Sequence, residues 1–145
     1  MTLSALQIAQ AYSVFANEGN FIELNLFKDH SFDEPLHEKV LQKETNNIIL
    51  DMLVETVNSS NGTASKARLQ EKIVAGKTGT AKESLEEETT YSATFAGFVP
   101  HDEPEYLAVV VLNGLSGEDY SGGRVSAPVF SRLMQQIFML QDLKI

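Results

Sequence analysis

Residues 74–81, Val-Ala-Gly-Lys-Thr-Gly-Thr-Ala, bring a lysine ammonium, two hydroxyls and two glycines into eight consecutive positions. On an extended strand Thr78 and Thr80 share one face, because side chains alternate with a period of two. Gly76 and Gly79 flank the polar residues and leave room for another backbone to approach. A cation, two hydroxyls and uncrowded amides suit an anionic peptide laid alongside the strand. The same residues also fit a plain strand edge, with a bulge at the glycines and a lysine that guards against aggregation. On these eight residues alone the plain strand edge is the favoured reading.

The elements that must position this strand are readable on both sides of it. Thr2 or Ser4 can cap a first helix whose Leu3, Leu6, Ala9, Tyr12, Phe15 and Ala16 recur at helical spacing, with Gly19 as its left-handed stop. Residues 21–27 alternate as a short strand, and the polar stretch 29–39 reads as a surface connection. Thr45 is placed to cap a second helix with a buried stripe of Ile49, Met52, Leu53, Thr56 and Val57, broken by residues 58–62. Residues 63–69 suggest one more short helix. After the lysine strand, residues 82–90 carry four glutamates and read as a solvated hairpin loop.

Residues 91–99 alternate again. Residues 100–105 make a turn with His101 at its exposed tip, and residues 106–113 are almost wholly apolar, as for a strand covered on both faces. The loop 114–123 leads to a last helix capped by Ser126, with Pro128 in its first turn and an apolar stripe of Val129, Leu133, Ile137 and Leu140. The expected fold class is therefore α+β, an antiparallel sheet with packed helices. Strand 106–113 needs a neighbour on each edge, and only residues 91–99 are an evident candidate.

Composition removes several functions. A length of 145 residues suits one domain, and 43% hydrophobic residues is a globular figure. The net charge of −9 argues against nucleic acid, which demands clustered Lys and Arg. There is no cysteine, hence no disulfide, zinc-thiolate site or cysteine nucleophile. His30 and His37 lack a third residue at metal-ligand spacing, so no metal and no cofactor is called for. The longest aliphatic run, 107–112, is far too short for a membrane span, and the start of the chain is no signal peptide. A helix that begins at once suggests a piece of a longer polypeptide.

Three further blocks join residues 74–81: Phe95-Ala96-Gly97-Phe98-Val99-Pro100, Gly122-Gly123-Arg124-Val125-Ser126-Ala127-Pro128-Val129-Phe130, and the helix from Thr2 to Tyr12. In this order they resemble the C-terminal part of class B penicillin-binding proteins, over residues 2 to 140. The resemblance implies a partial fold of the kind shared with serine β-lactamases, and a peptidoglycan D,D-transpeptidase chemistry. In that chemistry a Ser-x-x-Lys serine attacks a D-Ala-D-Ala stem peptide, a Ser-x-Asn motif assists, and Lys-Thr-Gly lines the far wall. Penicillin acylates the same serine.

Carried onto this sequence, the resemblance implies that Lys77 holds a positive field for the substrate carboxylate and that Thr78 and Thr80 bond it. The backbone amide of Thr80 is implied as one oxyanion-hole donor, and Gly79 as the gap that admits the ligand. Residues 82–90 and 114–123 would border the cleft. The parent protein would act on the periplasmic face of the bacterial inner membrane, anchored by an N-terminal helix that is absent here.

No Ser-x-x-Lys occurs in these 145 residues. Thr63-Ala64-Ser65-Lys66 imitates it with threonine first, and Ser59-Ser60-Asn61 spells Ser-x-Asn but reads as a helix-ending loop. The chain is thus expected to be the C-terminal portion of a transpeptidase domain, inactive alone. Its implied partners are a stem peptide or β-lactam and either the N-terminal half of the same domain or a swapped protomer. A β-lactamase or β-lactam sensor relative, and a non-catalytic interaction module, stay open as alternatives.

Overall fold

The computed structural model describes residues 3–24, 37–85 and 88–143. Helix α1, Ala5–Ala16, starts where Ser4 closes a reciprocal cap. The Ser4 Oγ accepts the Gln7 N–H at 3.2 Å, and the Gln7 Oε1 accepts the Ser4 N–H at 2.9 Å. It ends at Ala16 with Asn17 as C-cap, and the left-handed stop expected of Gly19 begins one residue earlier, at Glu18 with φ +55°; Gly19 follows at φ +87°, and its missing Cβ admits Leu41 O.

Strand β1, Asn20–Ile22, pairs antiparallel with β2, His37–Lys39. The end of stretch 29–39 is therefore a strand and not a loose connection. Its polar side chains carry no alternation to reveal it, and Gly19 O holds the return by accepting the Val40 and Leu41 N–H groups. Residues 25–36, including His30 and the rest of the expected strand 21–27, lie outside the described residues, as does the His37 side chain.

Helix α2, Lys43–Asn58, begins two residues before the expected cap. Gln42 is its N-cap without a side-chain bond, so Thr45 lies in the first turn. Its inward line runs through Asn46, Leu53 and Val57, with Ile49, Leu50 and Val54 half-buried. Met52, expected in the stripe, is 61% exposed. The Asn46 amide donates to Phe15 O at 3.2 Å and turns the helix so that position 52 faces outward. At the other end the Asn58 amide bridges Val54 O and Val74 O, which ties the helix to the start of the sheet. The expected short helix is a single 3-10 turn, Ser65–Ala67, with Ala64 and Ala67 fully buried.

The main sheet has order β3-β4-β5, all antiparallel, with β3 at Ala75–Leu85, β4 at Glu88–Val99 and β5 at Tyr106–Leu115. The expected hairpin loop 82–90 is mostly ladder, since Lys82 pairs with Tyr91 and Glu83 with Thr90. Glutamates on an exposed hairpin stay solvated without forming a loop, which is why composition misled there. The turn after β4 folds back: the His101 N–H donates to Ile73 O at 3.0 Å, and its side chain is half-buried rather than an exposed tip.

One face of the sheet carries Phe95 and Val99 beneath helix α3, Gly122–Asp142, where Ala127, Phe130 and Met134 complete the cluster. The Phe95 and Phe130 rings meet at 4.8 Å. Phe98 and Ala75 point the opposite way into a second cluster with Leu53, Tyr12, Phe15 and Leu107. Burial there pushes the Tyr12 phenol above its ordinary range. Strand β5 is covered by α1 and α3 on its two faces, incompletely, and among the described residues it has β4 as its one hydrogen-bonded neighbour.

Helix α3 differs from expectation in two ways. Ser121, not Ser126, is its N-cap, so Pro128 stands inside the helix and Ser126 is buried. Val129, Leu133 and Leu140 are exposed at 44%, 41% and 61%, and the inward line is Ala127, Phe130, Ser131 and Met134, with Ile137 half-buried. The first two glycines of the helix set its rotation, as the site geometry shows below. Replacing Phe95 by Ala is expected to cost about 3–5 kcal/mol, whereas Met52→Ala stays within about 0.5 kcal/mol, both read by chemical denaturation.

Candidate functional site

The outer edge of β3 is the feature around which the polar residues gather. A Cβ on Gly122 would lie 2.3 Å from Thr94 O, 2.7 Å from Gly79 O and 3.3 Å from Gly79 N. Those three atoms therefore converge between β3 and β4; Gly79 and Thr94 are Cα partners in the ladder, and this convergence fits a hydrogen-bonded pair. Alternation then turns the N–H and C=O groups of Thr78 and Thr80 to the opposite side, the outer edge of the strand, which has no paired neighbour among the described residues. The Lys77 ammonium agrees with this, since it curls onto Thr78 O at 3.1 Å. Lys77, Gly79 and Thr80 are exposed and Thr78 is half-buried.

The two glycines of the motif have different duties. Gly76 is buried, and a Cβ there would strike the Phe95 ring at 2.5 Å and Ala96 O at 2.8 Å. Its expected role in admitting a second backbone is overturned: it makes room for the core. Gly79 is exposed, with Thr94 Cβ at 3.7 Å as the nearest atom to an added methyl, so its openness faces outward.

Helix α3 starts on the face of this strand, over the ladder between β3 and β4. The Gly122 N–H donates to the Thr80 Oγ1 at 3.2 Å, and the close approach leaves no space for a side chain at residue 122. At Gly123 a Cβ would fall 2.1 Å from Thr63 O and 3.7 Å from the Thr78 Cγ2. The threonine face of β3 thus meets the positive end of a 21-residue helix. On the same side the Thr63 and Thr78 hydroxyls lie 3.3 Å apart. Thr63, Gly122 and Gly123 were not singled out as site residues by sequence reasoning. The glycine pair carried a signal in the matched block, whereas Thr63 was read only as the start of a short helix and as the first residue of Thr63-Ala64-Ser65-Lys66.

A residue just past one expected border of the cleft, 82–90, meets the other, 114–123. Tyr91 on β4 stacks on Tyr120, just ahead of α3, with centroids 3.7 Å apart and planes 10° from parallel. Arg124 in the first turn of α3 pairs with Asp119. Ser59 is the C-cap of α2 and its carbonyl is held by Arg68, so Ser59-Ser60-Asn61 is a helix-ending loop as read from sequence. Lys66 lies in the 3-10 turn, exposed. A cavity of about 350 Å³ between Leu69, Lys72, Phe138 and Met139 lies elsewhere and takes none of residues 77–80 as lining. Among the described residues no cluster of His, Asp and Glu could hold a metal ion.

An antiparallel sheet under a long helix thus carries a Lys-Thr-Gly-Thr run along its outer strand. The family model for the penicillin-binding protein transpeptidase domain matches residues 1–135. The chain belongs to that family. It is 33% identical over 150 residues to the peptidoglycan D,D-transpeptidase FtsI of Buchnera aphidicola, covering 100% of this chain and 25% of that protein. It is 31% identical over 137 residues to the probable peptidoglycan D,D-transpeptidase PbpC of Pseudomonas aeruginosa, covering 92% of this chain and 24% of that one.

The transpeptidase domain of penicillin-binding protein 3 from Burkholderia pseudomallei superposes with a TM-score of 0.79 at 29% identity, covering 99% of this chain and 43% of the other. The chain thus spans about a quarter of the length of these curated relatives. Gly122→Ala is expected to destabilise the chain by about 1–3 kcal/mol through overpacking against Thr94 O and Gly79 O, seen as a lowered melting temperature.

Proposed function

We propose that this chain supplies the substrate-facing wall of a peptidoglycan D,D-transpeptidase and works only when another stretch of polypeptide brings the attacking serine. The observation that carries the reading is the free edge of β3, which turns the Thr80 amide outward beside Lys77 and Gly79. A stem peptide ending in a carboxylate, or a β-lactam in its place, lies along this edge. The Lys77 ammonium supplies the positive field, and the hydroxyls of Thr78 and Thr80 bond the carboxylate.

The Thr80 N–H meets the oxyanion that forms when a serine attacks the penultimate carbonyl, a donor worth about 10²–10³ in rate. The attack forms the acyl–serine ester and expels D-alanine; a second stem's amine then takes the acyl group and frees the serine. Residues 1–145 are read as the C-terminal portion of the domain. The serine, its lysine base and the Ser-x-Asn residues come from the N-terminal half of that domain, or from a swapped protomer, because none of these motifs fits within this sequence. The β5 edge without a partner among the described residues is where a strand of that half pairs. The names of the relatives and the chemistry of their substrate support a periplasmic site of action.

Fluorescent penicillin labelling of the full-length polypeptide tests the reading. Lys77→Ala is expected to slow acylation about ten- to hundredfold, as for loss of a charged hydrogen-bond partner of about 1.5–3 kcal/mol. Gly79→Ala is expected to fold with unchanged stability, since its methyl meets no atom nearer than 3.7 Å, and yet to label poorly because that methyl stands on the ligand's side. Unimpaired labelling of both variants would refute the assigned wall.

A further inference from the structure

The side chain closest in chemistry to the wall, but outside the motif, is Thr63. It sits in the loop that follows α2, and that loop is held on every side. The Gly62 N–H donates to Ser59 O at 3.1 Å, the Ala64 N–H to Thr56 O at 3.1 Å, and Ala64 itself is fully buried. Thr63 O lies so near Gly123 that a Cβ there would come within 2.1 Å of it. The Thr63 hydroxyl is therefore delivered to its place by three elements, α2, the 3-10 turn and the start of α3. It ends 3.3 Å from the Thr78 hydroxyl.

Two hydroxyls at this distance share one hydrogen bond, and the direction of that bond decides what Thr78 can offer. If Thr78 donated to Thr63, only lone pairs would face the strand edge, and those repel a carboxylate. If Thr63 donates to Thr78, the Thr78 O–H is released for an acceptor at the edge, and the first bond strengthens the second by polarising it. The positive end of α3, which lies against the Thr63 carbonyl and the Thr78 methyl, favours the arrangement with an anion nearby.

We propose that Thr63 is a positioning residue that donates to the Thr78 hydroxyl and thereby aims the Thr78 proton at the ligand carboxylate. This rests on the function proposed above. Thr63 touches no reacting atom; its effect is a preference for ligands bearing a carboxylate over otherwise identical neutral ones.

The test uses the full-length transpeptidase polypeptide and two probes, a penicillin with a free carboxylate and its methyl ester, each followed as the second-order rate of acylation. Thr63→Val is expected to lower the rate for the free acid about three- to tenfold, the loss of the one neutral hydroxyl–hydroxyl bond that orients the Thr78 proton, and to leave the ester within about twofold. Thr63→Ser, which keeps the hydroxyl, restores the acid-to-ester ratio. Both probes are read on one sample, so a fall in the folded fraction lowers both rates equally and leaves the ratio untouched. An equal loss for acid and ester in Thr63→Val, an unchanged ratio, or a Thr63→Ser variant as impaired as the valine overturns the proposal. Failure of the unsubstituted polypeptide to be acylated by the free acid overturns the transpeptidase reading itself, and this inference with it.

Discussion

The site depends on one steric condition: the first residues of α3 must come to rest on the ladder between β3 and β4. No side chain fits between Gly122 and the Gly79–Thr94 pair, so the contact is backbone against backbone. That contact sets the rotation of a 21-residue helix, and the rotation selects Ala127, Phe130 and Met134 as the residues that enter the core. Core and site are thus two ends of one rigid element. The Phe95–Phe130 packing keeps the helix down on the sheet, and the Gly122 N–H holds the Thr80 hydroxyl at its start.

The strand itself is asymmetric in a useful way. Its inner side is fully engaged with β4 and its residues Ala75 and Gly76 are buried, so the chain cannot shift in register there without expelling Phe95 or Phe98. Its outer side, two residues further on, has main-chain groups to spare. A rigid inner ladder beneath an edge unpaired among the described residues holds its outward main-chain donors fixed, as the proposed function asks of them. The stacked Tyr91 and Tyr120 rings extend the same rigidity to the far end of the hairpin.

Most of this architecture is visible in the residues. Alternation at 91–99, the apolar strand after it, and the Ser4 and Gly19 helix signals all correspond to observed elements. The failures share a cause. Met52, Val129, Leu133 and Leu140 are apolar and helically spaced, yet they face outward, because helix rotation is decided by tertiary anchors such as Asn46 and Gly122 that carry no hydrophobic signal. Residues 82–90 look like a loop because glutamates are depleted in strands, a tendency that an exposed hairpin overrides. In the site, the Lys-Thr-Gly-Thr run is legible as chemistry. Thr63 is not, since fifteen residues separate it from Thr78 and only the folded chain joins their hydroxyls.

Lys77 finds its resting partner on its own strand, the carbonyl of Thr78. Under the function proposed above, an incoming ligand has to win the ammonium from this neutral acceptor. An uncharged peptide would exchange one carbonyl for another and gain next to nothing, whereas an anion trades a dipole for a full opposite charge. Discrimination against neutral chains thus begins with an internal competitor, before any pocket shape is consulted.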